Sequence, residues 1–157
     1  MGAGLRLGEI LKLTWGDLDL EAGVIHVRFG KTGVRMAYMN NAVKELFKNW
    51  PAGLKSDLVF KSASGRQMHS CNVSEAFTSV VNKLGLNDGV TDERQKIVFY
   101  TLRHTFASWL VIQGVAIYTV AELMGHSTVE MTKRYAHLSP ATQRTAVMEL
   151  DLIANGD

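Results

Sequence analysis

Apolar and polar residues alternate along Val24-Ile25-His26-Val27-Arg28-Phe29 and again along Val34-Arg35-Met36-Ala37-Tyr38-Met39. Period-two alternation rich in β-branched and aromatic residues predicts strands, and the two runs flank Gly30-Lys31-Thr32-Gly33. The expected element is a β-hairpin over about 24–39 with Lys31 at its tip. Leu58-Val59-Phe60 is short and wholly apolar and is expected as a third strand. Elsewhere the period is helical. Leu5, Leu7, Ile10, Leu11, Leu13 and Trp15 recur at near-helical spacing, and the chain turns between Asp17 and Gly23.

Punctuation residues delimit the remaining helices. Asn40 or Asn41 is placed to cap a helix reaching about Trp50, with Pro51 after it. Ser70 is placed to cap a helix from about Cys71 to Leu84, with Gly85 just past its end. Residues 86–96 are polar and read as a loop. Ile97-Val98-Phe99 leads into Tyr100-Thr101, and Thr101 is placed to cap a helix from Leu102 to Gln113, ended by Gly114. A further helix is expected from Ile117 to Met124, ended by Gly125. Ser127 and Glu130 have the spacing of a capping box opening a helix that carries Tyr135. Pro140 interrupts, and Ala141 to Ala154 reads as a final helix with Val147, Leu150 and Ile153 three apart. Few strands and many helices predict an α+β fold, predominantly α-helical, with a small antiparallel sheet.

Composition narrows the class. A chain of 157 residues suits one domain, and 46% hydrophobic residues can bury a core. With 20% charged residues and no low-complexity run, nothing reads as disordered. No apolar run approaches the length of a membrane span, and no basic segment leads into an apolar core as in a secretory signal. The one cysteine, Cys71, excludes an intrachain disulfide, fits a reducing, cytoplasmic compartment, and is expected as an inert, half-buried helix residue. Net charge of +2 permits nucleic-acid binding without demanding it, so any affinity must come from charge placement. Met1-Gly2-Ala3-Gly4 enters a helical pattern without a cap, so one domain over 1–157 is expected, its start being a truncation and not a natural N-terminus.

Arg6, Lys31, Arg103, His126 and Tyr135 each stand at a punctuated place: a helix start, a hairpin tip, a helix first turn, the step after a glycine, a late helix position. Singly, each has an ordinary structural explanation. Their order does not. Gly4-Leu5-Arg6-Leu7-Gly8-Glu9-Ile10-Leu11-Lys12-Leu13-Thr14-Trp15-Gly16-Asp17-Leu18-Asp19 resembles the first arginine motif of the tyrosine site-specific recombinases, the phage integrase family. Thr101-Leu102-Arg103-His104-Thr105-Phe106-Ala107-Ser108 resembles the second. Leu123-Met124-Gly125-His126-Ser127 and Met131-Thr132-Lys133-Arg134-Tyr135-Ala136-His137 resemble the segment carrying the third basic residue and the nucleophile, and Lys31-Thr32-Gly33 looks like the family's hairpin lysine. The likeness spans Gly4 to Thr145.

The resemblance implies a tyrosine-recombinase catalytic core that cleaves and rejoins double-stranded DNA through a 3′-phosphotyrosine, without metal, cofactor or ATP. Arg6 and Arg103 would hold the scissile phosphate, since guanidinium groups match paired phosphate oxygens and stay charged. His126 would add a hydrogen bond, Tyr135 would attack phosphorus, and Lys31, with Thr32 beside it on DNA, would protonate the leaving 5′ oxygen. Glu9, three residues after Arg6, and His104 would orient these groups. Tyr100 stands where the family has histidine, so the acceptor of the nucleophile's proton is open between water, a phosphate oxygen and another side chain. The resemblance also implies an N-terminal DNA-clamping domain outside this chain, and the full-length protein is expected to act as a homotetramer on DNA. The fragment is expected as a monomer if its C-terminal helix packs on its own domain, and as an assembly if that helix docks on a neighbour. A bacterial or phage-encoded source follows from the same likeness.

Other classes compete. Ala116 to Tyr135 also resembles a helix-turn-helix, which a non-catalytic regulator would use. A type IB topoisomerase would share the chemistry. The five histidines show no metal-ligand spacing such as H-E-x-x-H.

Overall fold

The structure, a computed structural model, describes residues 2–30, 33–140 and 147–148. It divides into two compact units, Met1–Phe106 and Ala107–Asp157. The first is built on a three-stranded antiparallel sheet of β1 (Leu18–Asp19), β2 (Val24–Gly30) and β3 (Gly33–Tyr38), in that order. The hairpin forms as its alternation predicts, in a register running from Val24 opposite Tyr38 to Val27 opposite Arg35, with an irregularity before Gly30 meets Gly33. Lys31 and Thr32, between these strands in sequence, lie outside the described residues.

The third strand is not the expected Leu58-Val59-Phe60 but Leu18–Asp19. Asp19 accepts the Ala22 N–H at 2.8 Å and Gly23 adopts φ +71°, so the chain doubles back and lays Leu18 opposite Ile25. Leu58 instead makes an isolated antiparallel bridge with Thr14, and the Val59 N–H donates to the Leu13 carbonyl at 2.9 Å. That pairing also explains why the helical pattern over 5–15 yields only the four-residue α1 (Leu7–Ile10) and a 3-10 turn at Trp15–Asp17. The Leu13 carbonyl and the Trp15 N–H are committed to Val59 and Asp57, and the Asp17 carboxylate takes both the Thr14 N–H and hydroxyl, at 3.0 and 2.9 Å. A continuous helix would have to give up all of these bonds.

The core of this unit joins Leu13, Ile25, Val27, Ala37, Phe47 and Val59, with Trp15 and Phe60 packed against it. Each large side chain buried there contributes about 1.5–3 kcal/mol. Phe47 comes from α2 (Asn41–Lys48), whose cap is Asn40, its side chain accepting the Val43 N–H at 3.0 Å. The next helix, α3 (Ser70–Lys83), starts one residue before expectation, with His69 and not Ser70 at the cap position, and Gly85 at φ +65° follows its end. Cys71 is exposed on α3, not half-buried, because it lies in the first turn of a helix that buries little more than Val81. The polar loop contains a 3-10 turn at Glu93–Gln95 capped by Asp92.

The boundary between units falls inside α4 (Thr101–Ile112). In the second unit α5 spans Ile117–Met124 and ends at Gly125 in the left-handed region, as its glycine predicts. The expected helix bearing Tyr135 is instead two 3-10 turns, Val129–Met131 and Lys133–Leu138. No capping box forms: Ser127 faces the Met131 sulfur at 3.6 Å, and Glu130 pairs with Lys133 at 2.6 Å. Backbone bonds from Met131, Thr132 and Tyr135 all reach back three residues, in a run where β-branched Thr128, Val129 and Thr132 weaken the α-helix. The second helix that a helix-turn-helix would insert into a groove is therefore missing from this stretch. Both turns pack against α5. The expected final helix, Ala141 to Ala154, lies outside the described residues apart from Val147 and Met148, which are helical and exposed. Among the described residues no helix is long and apolar enough to cross a membrane.

Candidate active site

In the first unit the chemistry gathers about one buried carboxylate. Arg6 is the extended residue preceding α1, and Glu9 is the third residue of that helix. Such a glutamate can reach back to the uncapped N–H before it. Glu9 does so, accepting the Arg6 N–H at 2.8 Å, and its other oxygen takes the Arg6 guanidinium at 3.0 Å. Arg35 of β3 reaches the same carboxylate at 3.0 Å. Glu9 is only 5% exposed, so these bonds form in a weakly screened place.

Arg103 enters from the first turn of α4 and is buried. Its guanidinium donates to the Gly4 carbonyl. Gly4 adopts φ +59°, and a Cβ there would lie 2.5 Å from the Phe106 ring, so this residue must be glycine on both grounds. Burial pushes the Arg103 pKa below the ordinary arginine value, with Arg6 and Arg35 acting in the same direction and Glu9 against them. Arg35 is lowered likewise, by burial first and by Arg6, with Glu9 opposing. Arg6 and Arg35 thus share one carboxylate through direct bonds, and Arg103 lies within the electrostatic reach of all three. A cavity of about 310 Å³ reaches Arg6 and Arg103, with apolar walls that include Leu5, Ile10, Phe47 and Phe99.

Tyr100 precedes α4 and is 52% exposed, its ring edge-on to His104 with centroids 4.5 Å apart. In the second unit His126 follows Gly125, and its Nδ1 lies 2.7 Å from the Thr132 hydroxyl. Tyr135 follows in the second 3-10 turn and is 6% exposed. Arg6, Glu9 and Arg103 are thus brought together in one unit, His126 and Tyr135 stand on neighbouring turns of the other, and Lys31 and Thr32 are outside the described residues. Arg35 and Thr132 are two participants that sequence reasoning missed. Among the described residues no three His, Cys, Asp or Glu side chains are arranged to hold a metal ion.

The cluster yields a stability prediction. Glu9→Ala removes the shared counter-charge and leaves guanidinium groups crowded in a largely dry place, where breaking a buried pair costs about 3–5 kcal/mol. Glu9→Gln keeps the shape and one acceptor and is expected to lose less. Urea unfolding should show a lower midpoint at unchanged slope for both, in the order Ala then Gln.

The fold is that of tyrosine-recombinase catalytic domains. The chain matches the phage integrase family over residues 1–142. It is 31% identical over 139 residues to a probable integrase/recombinase protein of Methanocaldococcus jannaschii, covering 85% of this chain and 42% of that one. The integrase of transposon Tn1549, solved with transposon right-end DNA, superposes with a TM-score of 0.72 at 27% identity, over 98% of this chain and 56% of its own. The catalytic domain of bacteriophage HP1 integrase superposes at 0.63 with 28% identity, over 94% of this chain and 75% of its own. The chain belongs to the phage integrase family. It spans about half the length of the longer relatives it matches.

Proposed function

We propose that this chain is the catalytic domain of an enzyme that cuts and rejoins double-stranded DNA through a covalent bond to Tyr135. The observation that carries the reading is the gathering of Arg6, Arg35 and Arg103 about the single carboxylate of Glu9. Clustered guanidinium groups in a weakly screened place favour an anion with paired oxygens, and a phosphodiester supplies one. In-line attack by the Tyr135 oxygen forms the O–P bond and breaks the bond to the 5′ oxygen. The charge that builds on the nonbridging oxygens is met by Arg6 and Arg103, with His126 as a further donor. The phenol proton leaves to water, a phosphate oxygen or another side chain, and Lys31 protonates the departing 5′ oxygen, giving a 3′-phosphotyrosine and a free 5′-hydroxyl. Bond energy kept in the ester permits rejoining without ATP. Site-specific exchange by a homotetramer of the longer protein, in a cytoplasmic compartment, belongs to the same reading.

Nicked suicide duplexes covering candidate attachment sites test it. A denaturant-resistant, protease-sensitive protein–DNA adduct is expected; retained binding with no adduct would instead leave a non-catalytic regulator. Relaxation of supercoiled DNA without exchange between sites would favour the topoisomerase reading.

Tyr100 yields a further prediction. Histidine is smaller than tyrosine, is expected to keep the edge contact with His104, and adds a base that titrates near neutrality. Tyr100→His is therefore expected to form adduct at least as fast as the parent. A loss beyond about tenfold would assign the phenol itself a part in the reaction.

A further inference from the structure

We infer that Thr132 is a positioning residue that fixes which nitrogen of His126 carries the proton. Thr132 is fully buried, at the junction between the two 3-10 turns. Among the described residues its hydroxyl makes one hydrogen bond, to Nδ1 of His126 at 2.7 Å. A neutral imidazole has one donor and one acceptor nitrogen, and the partner of one decides the role of the other. If Nδ1 donated, the hydroxyl proton would be left without an acceptor in a place closed to water, a loss comparable to a missing hydrogen bond. If the hydroxyl donates to Nδ1, its proton is satisfied and the ring proton moves to Nε2. The neutral ring is thereby held as an Nε2–H donor.

Backbone geometry reinforces the assignment. Gly125 in the left-handed region ends α5, and the His126 N–H donates to the Ala121 carbonyl at 3.0 Å, which fixes the start of the His126 side chain. The Thr132 N–H donates to the Val129 carbonyl at 2.8 Å and its own carbonyl accepts from Tyr135, so the residue that orients His126 also anchors the turn bearing Tyr135. The 3-10 spacing therefore has a consequence: it brings Thr132 under the imidazole while its backbone holds the tyrosine turn.

The functional half of the inference rests on the proposed role of His126 as a donor to phosphate; the proton assignment does not. Two measurements separate them. Long-range 1H–15N correlation on the labelled chain, at a pH where the ring is neutral, reads the tautomer directly. The parent is expected in the Nε2–H form, Thr132→Val in a mixture of both forms, and Thr132→Ser in the Nε2–H form. A parent in the Nδ1–H form, or a tautomer unchanged in Thr132→Val, overturns the inference; the parent spectrum decides even if the valine variant fails to fold. Adduct formation on the suicide duplex is expected to slow on the order of 10- to 100-fold in Thr132→Val at saturating DNA, with duplex affinity unchanged and most of the rate restored in Thr132→Ser. If His126→Ala forms adduct at the parental rate, the proposed role of His126 falls. If His126→Ala is slow and Thr132→Val is not, the positioning role falls alone.

Discussion

Tyr135→Phe is expected to reduce covalent adduct on a suicide duplex to background while leaving duplex affinity within a few-fold of the parent. The substitution removes one oxygen from a buried ring and nothing else. Phenylalanine fills the same volume, so packing against the rest of the second unit is retained, and the lost hydroxyl is expected to cost about 1 kcal/mol of stability. Without that oxygen the O–P bond to residue 135 cannot form, and one ring nitrogen of neighbouring His126 is already committed to Thr132. Tyr100 is the one rival phenol that the sequence places beside Arg103, and its exposure makes it chemically accessible. Tyr100→Phe is the matching control and should keep the adduct. An adduct in Tyr135→Phe, with Tyr100→Phe abolishing it, would move the nucleophile. An adduct in both would remove tyrosine chemistry from the account. A thermal melt of each variant separates chemical loss from unfolding.

The parts of this site that were legible in the sequence are those whose local signal and tertiary setting agree. Asn40 caps α2 because an asparagine before a helical run needs only its own turn to act, and Gly125 ends α5 for the same reason. Glu9 was legible because residues three apart on one turn must meet. Arg35 was not. Val34, Met36 and Tyr38 are the large apolar members of β3, so the alternation points them inward, yet Val34 is 77% exposed and the inward face carries Arg35 and Ala37. The buried carboxylate of Glu9, from an element 26 residues earlier, is what makes an inward arginine tolerable, and no local pattern announces it. The turn carrying Tyr135 was misread for a related reason. Ser127 and Glu130 have the spacing of a capping box, but Glu130 is drawn to Lys133 and Thr132 is drawn inward to His126. Side-chain bonds to particular partners outweighed the modest preference for continuing an α-helix. The third strand shows the converse: Leu58-Val59-Phe60 reads correctly as buried and extended, but its partner is the segment around Thr14, which only the tertiary fold selects.

Arg103 is where stability and the proposed chemistry are expected to pull apart most strongly. Burial and the neighbouring charges of Arg6 and Arg35 disfavour its charged form, so its folded-state pKa lies below the unfolded value. For a cation this means that the charged side chain opposes folding at every pH below the folded-state pKa, which includes the whole working range. The penalty is relieved only as pH rises towards the unfolded value, so no pH dependence of stability from this group is expected near neutrality. A neutral residue of similar length, Arg103→Met, is therefore expected to unfold at a urea concentration equal to or above the parent's, the relief of charge burial offsetting the Gly4 carbonyl's lost donor. Arg103→Lys keeps the charge but replaces a planar fork by a point charge, and cannot both bond the Gly4 carbonyl and meet paired phosphate oxygens. Removing one such donor from a developing oxyanion costs on the order of 100- to 1,000-fold in rate, and that loss is expected for Arg103→Lys at saturating DNA. Arg103→Met should lose at least as much, and its duplex binding should fall less steeply with salt by about one unit of log–log slope. A methionine variant that is both markedly less stable and still active would mean that Arg103 holds the fold together and leaves the phosphate to Arg6.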